Sequence, residues 1–151
     1  MTEQQPETSG TLVELTTFFV GDALCGLDIL QVQEINKLLQ MTKVPQAPDY
    51  VLGILNLRGQ IVTIIDLAKK LGSGETEITR DARNIIVNSS DGPVGLLVKK
   101  ISDVVQADKS LREPAPANMQ DIQGEYFTGV HKIEGNLIGI LNIEKVLSIE
   151  E

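Results

Sequence analysis

Few residues in this chain could do acid–base, nucleophilic or metal chemistry, and their spacing keeps them apart. There is one histidine, His131, and one cysteine, Cys25. A lone imidazole and a lone thiol supply neither a nucleophile–base pair nor a soft or imidazole-rich metal site. His131 sits in a strand pattern and reads as a half-buried structural histidine. Cys25, between Leu24 and Gly26-Leu27, reads as a small buried core residue. The carboxylates Glu14, Asp22, Asp66 and Asp81 fall at strand, turn or cap positions. No Gly-x-Ser-x-Gly elbow, phosphate-cradling Gly-Lys-Ser/Thr loop or Gly-x-Gly-x-x-Gly fingerprint occurs. Asn88-Ser89-Ser90 matches a glycosylation sequon, without consequence in a cytoplasmic chain. The expectation is a protein with no catalysis, no cofactor and no metal.

Surface recognition is what remains, and one stretch stands out for it. Asn56-Leu57-Arg58-Gly59-Gln60 joins two apolar runs through a tight, charged turn. Gly59 has a backbone reason, since the position calls for φ > 0, in a turn with a bulge glycine. The arginine has no such reason.

The elements that would position these residues follow from period and punctuation. Residues 11–20 and 23–28 read as strands joined by Gly21-Asp22. Residues 29–39 carry apolar side chains at 29, 32, 35 and 39, a helical spacing that predicts a helical segment. Residues 43–48, with Pro45 and Pro48, form an extended connector. Residues 51–57 and 60–65 are the arms of the charged hairpin, followed by a short helix over 66–71 that Gly72 stops. A polar loop covers 73–81. Strands are expected at 85–87 and 94–98, turning through Ser90-Asp91-Gly92, and at 104–107. Residues 112–116 are a second stiff connector. A last hairpin, 126–133 with 136–142, precedes a helical stretch at 143–147.

Composition narrows the function further. The chain has 151 residues, 42% of them hydrophobic, but only 3% aromatic and no Trp, so its core is aliphatic. A net charge of −8 is the wrong sign for counterion release from a phosphate backbone, and stacking platforms for bases are missing. Nucleic acid is therefore excluded as a partner. Residues 1–10 are polar and slightly acidic, which predicts a disordered leader and a cytoplasmic location. The apolar runs fall far short of the ~20 residues that span a bilayer, so no direct membrane insertion is expected.

A repeat underlies the pattern. Residues 53–71 lie over 129–147 without a gap, so that Gly53 meets Gly129, Gly59 meets Gly135, Ile64 meets Ile140 and Lys69 meets Lys145. A weaker echo sets Gly26 on Gly95, Val32 on Ile101, Glu34 on Asp103 and Ile35 on Val104. The hairpin tips differ: Arg58 is replaced by Glu134, and Leu55-Asn56 by His131-Lys132. Two halves, each too small to hold a large core, should pack together as two small antiparallel β-barrels in a single domain over 11–151.

Residues 51–67, VLGILNLRGQIVTIIDL, resemble the most recognisable segment of the CheW family, the coupling proteins of bacterial chemotaxis. Residues 26–35, 94–98, 102–105, 112–116 and Thr128-Gly129 resemble further family segments in the right order, over about residues 11–147. No receiver or kinase domain accompanies them, so the reading is the free-standing adaptor. The resemblance implies a mainly β fold of two intertwined SH3-like five-stranded antiparallel barrels with a few short helices. It implies a scaffold without catalysis that couples the cytoplasmic tip of methyl-accepting chemoreceptors to the regulatory domain of the histidine kinase CheA, in membrane-associated receptor arrays. Val32, Glu34, Arg58, Gly95 and Ile101 match positions associated with receptor coupling in that family. Val32 and Ile101 would line an apolar groove between the barrels. Arg58 would pair with Glu34 and fix the groove wall, with or without a direct receptor contact. The kinase is expected along the edge carrying Ile85, Ile86 and Val87. Lys99-Lys100 departs from the acidic residue common in the family after that apolar strand.

Two competing readings carry different expectations. An adaptor of a related receptor–kinase system, such as twitching motility or development, would share every feature above. A small-ligand-binding β-barrel module would instead show an apolar cavity with a few convergent polar groups.

Overall fold

The computed structural model describes residues 11–38 and 40–148. The leader expected to be disordered, residues 1–10, lies outside the described residues. Strand β1 (Leu12–Val20) turns at Gly21, φ 59°, into β2 (Ala23–Asp28). After a single 3-10 turn come β3 (Val32–Lys37), β4 (Val51–Leu57), β5 (Gln60–Asp66) and helix α1 (Leu67–Lys70). The second half runs β6 (Arg83–Ser89), β7 (Gly92–Val98), β8 (Lys100–Asp108), the two-residue strands β9 (Asn118–Met119) and β10 (Ile122–Gln123), β11 (Phe127–Ile133), β12 (Asn136–Leu141) and α2 (Ile143–Leu147).

Three sequence expectations need correcting. The helix expected at 29–39 is one 3-10 turn, Ile29–Gln31, and then strand β3. Asp28 caps that turn by accepting from the Leu30 amide at 2.9 Å. Beyond it, Val32, Glu34 and Asn36 are half-buried while Gln33, Ile35 and Lys37 are exposed, a period of two. A spacing of three puts Val32 and Ile35 on opposite faces of a strand, and the ladder with β6, to which these β-branched residues are suited, overrides the helical spacing. The connector at 43–48 is not extended throughout. It turns at Pro45-Gln46, with Gln46 at φ 65°, because proline presets the first corner and a left-handed residue completes it. The charged hairpin has no bulge at its tip: Leu57 pairs directly with Gln60 across two left-handed residues, Arg58 (φ 53°) and Gly59 (φ 84°). That two-residue turn twists with the strands it joins.

Ten of the strands form two five-stranded sheets, ordered β3-β6-β7-β5-β4 and β11-β12-β2-β1-β8, and β9 pairs separately with β10. Each five-stranded sheet is antiparallel except for one parallel pair, β5 with β7 and β12 with β2. The outer strands of each order share no ladder among the described residues, so each sheet stays open at one seam.

The repeat is visible in the registers. Ile64 pairs with Gly95 in one sheet and Ile140 with Gly26 in the other. Val32 pairs with Val87, and Ile101 with Phe18. Bridges Thr42–Ile54 and Glu113–Val130 hold the two connectors to their hairpins. Asp66 and Asn142 cap α1 and α2, accepting from Lys69 N at 3.3 Å and Lys145 N at 3.1 Å.

The halves also trade strands. β3 follows β2 in the chain but joins the sheet of β6, while β8 follows β7 and joins the sheet of β1. Neither sheet can form from one half alone. The largest core cluster lies between the sheets, with Phe18, Cys25 and Leu27 from one meeting Ile85, Val87 and Leu96 from the other. Burial there pushes the Cys25 thiol pKa up to about 12. Smaller clusters around Ile64, Ile86 and Leu97, and around Leu15, Ile138 and Ile140, fill the two sheets separately.

Candidate functional site

Two of the sequence-predicted residues, Glu34 and Arg58, meet at the open seam of the first sheet. β3 and β4 are its outer strands, and the β4–β5 turn carries Arg58. The Arg58 guanidinium donates to Glu34 on β3 in an ion pair across the seam. The Glu34 side chain is 17% exposed and that of Arg58 71%. The hydrogen bond from Arg58 holds the Glu34 carboxyl below the usual carboxylate range, against partial desolvation. With its amide oriented to donate, Asn36 reaches the other Glu34 oxygen at 3.3 Å. Asn56 Oδ1 accepts from Gly59 N at 2.9 Å and stiffens the turn from which the arginine reaches.

The turn itself does not call for arginine. Its counterpart has the same backbone, with Glu134 at φ 52° and Gly135 at φ 83°. A left-handed conformation costs a residue with a Cβ about 1–2 kcal/mol more than glycine, so both tips hold a charged side chain at some conformational cost. At the second seam, Asp103 and Glu134 stand where the first has Glu34 and Arg58. Two carboxylates cannot form an ion pair with each other, so an ion-pair latch of this kind exists on one sheet and not the other.

The remaining predicted residues divide into two groups. Val32 and Ile101 are half-buried, hold equivalent positions on β3 and β8, and pack on the core shared by the two sheets. Gly95 is buried in β7, where a Cβ would run into Ile64 Cδ1 and come within 3.1 Å of Ile86 Cδ1. It acts as a spacer between packed strands and offers no surface. Ile85, Ile86 and Val87 were expected on an exposed edge. They are 0%, 1% and 0% exposed, and β6 lies between β3 and β7 inside its sheet. The expected exposed edge is therefore absent at these three residues, whose side chains pack into clusters on both faces of β6.

His131 is buried at 3% exposure, not half-buried. Its Nε2 accepts from Arg112 Nε at 3.0 Å, which ties the 112–116 connector to β11. Burial, helped by the Arg112 charge, lowers its pKa. Its role is structural.

Sequence reasoning missed two features that the repeat could have found. Asn84 is 1% exposed, and neither its Oδ1 nor its Nδ2 has a hydrogen-bond partner. Extending the weaker echo towards the N-terminus sets it on Leu15, which is fully buried. Extending the stronger alignment three residues N-terminally sets Tyr50 on Tyr126, and Lys70 Nζ lies 5.1 Å and 5.9 Å from the centres of those two rings. Among the described residues no group of His, Cys, Asp or Glu side chains gathers as a metal would need. No helix there is long and apolar enough to cross a membrane.

Two interlocked, pseudo-repeated β-sheets with a charge latch on one seam define a mainly β module. The comparisons with known proteins agree. A profile described as CheW-like domain matches residues 14–151. The chemotaxis protein CheW of Klebsiella aerogenes is 36% identical over 138 residues, 91% of this chain and 83% of that protein. That of Rhizobium meliloti is 35% identical over 91% of this chain and 89% of its own length. The crystal structure of the scaffolding protein TtCheW from Thermoanaerobacter tengcongensis superposes with a TM-score of 0.83 at 32% identity, covering 91% of this chain and 88% of that one. The chain belongs to the CheW family, and its function is that of a chemotaxis coupling adaptor.

Proposed function

We propose that this chain is a non-catalytic, cytoplasmic scaffold that couples the tip of methyl-accepting chemoreceptors to the regulatory domain of the kinase CheA within receptor arrays. One domain over 11–151, built of two pseudo-repeated halves, carries both contacts. The receptor face comprises Val32, Glu34, Arg58 and Ile101, with Gly95 as the buried spacer that lets β5 and β7 close beneath them. The observation that carries this reading is the one-sided latch. Arg58 and Glu34 bridge a seam whose counterpart holds Asp103 and Glu134, although the two turns share one backbone conformation. A charged pair kept on only one of two equal hairpins supports a role in recognition beyond turn formation.

A partly exposed ion pair contributes little to stability, so its value lies in holding the shape of the wall. Titration of the protein with a receptor-tip helical hairpin and, separately, with the kinase regulatory domain tests the scheme. Arg58→Glu and Glu34→Arg should each weaken receptor binding at least tenfold while kinase binding persists. The double reversal should regain part of the loss. Binding to neither partner would refute the adaptor scheme, and a double variant no better than the singles would refute the pairing.

A further inference from the structure

Tyr50 and Tyr126 occupy equivalent places at the starts of β4 and β11, in different sheets. The carbonyl of each closes the end of its own hairpin. Asp66 N donates to Tyr50 O at 2.7 Å, and Asn142 N donates to Tyr126 O at 2.8 Å. Both rings are half-buried against the core shared by the sheets. Lys70, at the end of α1, places one ammonium over both rings, 5.1 Å from one centre and 5.9 Å from the other. An ammonium within about 6 Å of a ring centre is attracted by the negative face of the ring. The repeat does not require this lysine, since the matching position in α2 is Val146, fully buried in the shared core.

We infer that Lys70 is a positioning residue: a single cation that holds the two hairpin bases, one from each sheet, to each other. With Tyr50, Val51, Ile61, Ile65 and Leu147 it also lines a groove of about 760 Å³ beside the first of these bases. The long stem of the lysine packs while its charge works. The shared core fixes the sheets as bodies. Lys70 acts more locally, on the order of the two segments where they enter β4 and β11. An opening at one base is therefore felt at the other.

Amide hydrogen exchange of the full chain, followed residue by residue by NMR, reads this directly at Asp66 and Asn142. Lys70→Met keeps the stem and removes the charge, and both amides should exchange about two- to tenfold faster. Lys70→Arg restores a cation over the rings and should stay within about twofold of the parent. Tyr126→Leu should speed exchange at Asp66, in the other sheet, and should lose that effect in a Lys70→Met background, because coupling between sites survives only while its carrier is present. The inference is overturned if Lys70→Met leaves the Asn142 amide unchanged. It is equally overturned if all slow amides accelerate alike with a fall in the urea midpoint, or if Tyr126→Leu still reaches Asp66 without Lys70. None of these readouts depends on receptor or kinase binding, so the inference can fail while the adaptor scheme stands.

Discussion

Replacing Asn84 by leucine should make this protein more stable. Asn84 is 1% exposed on β6, and both polar atoms of its amide lack partners. Its neighbours across the ladders are Asn36 and Leu97, and the cluster on its side of the sheet is Val62, Ile64, Ala82, Ile86 and Leu97. An orphaned buried amide costs about 1–3 kcal/mol. Leucine has the same branching and the same number of heavy atoms, so it replaces the two polar atoms by methyl groups with little change in shape. The repeat provides a precedent, since Leu15 holds the matching place in the other sheet at 0% exposure. Asn84→Leu should thus add about 1–3 kcal/mol, or about 2–12 °C in melting temperature for a chain of this size. Urea unfolding with an unchanged slope would isolate the stability term. The reciprocal change, Leu15→Asn, loses a packed side chain and creates a second orphan amide, and should cost about 2–5 kcal/mol. An Asn84→Leu midpoint equal to or below the parent's would mean the amide is satisfied in solution, and the reasoning would fail.

Two further outcomes follow from the packing. Gly95→Val should lower the unfolding free energy, read by urea titration, by about 1–3 kcal/mol through overpacking, and adding Ile64→Val, which removes the Cδ1 in its way, should return part of the loss. His131 carries a pH dependence. Burial and the Arg112 charge hold its pKa below the usual value, against the pull of Asp108 and Glu113. The unfolded chain therefore takes up the proton first. This contribution is complete above the unfolded pKa of about 6.5 and is lost as pH falls through the folded one. His131→Leu, which copies Leu55 of the first hairpin, should flatten the decline in urea midpoint between about pH 7 and 5; an unchanged decline would assign it to other groups.

Locally coded features were legible in the sequence. Both charged hairpins, the cap at Asp66, the burial of Cys25 and the repeat follow from side-chain period, turn glycines and short-range hydrogen bonding, which operate within a few residues. The suspicion about Arg58 came from comparing two stretches of the same chain, and its pairing with Glu34 was what the family resemblance implied. Residues 29–39 failed because their spacing of three matches a helix, whereas the ladder with β6 draws the segment into a strand and leaves Ile35 on the exposed face. Ile85, Ile86 and Val87 failed for a related reason. An apolar strand looks the same whether it sits at an edge or inside a sheet, and its place was set by β3 arriving from the other half.

The sequence by itself therefore determined two repeated sets of strands, an aliphatic core, the turn chemistry and the family. Tertiary structure alone decided which strand joins which sheet and which apolar residues are out of reach. It also decided that Lys70 stands over two tyrosines distant in sequence. These are matters of long-range pairing, in which segments far apart in the chain compete for the same ladder and the same core. No local preference records the winner.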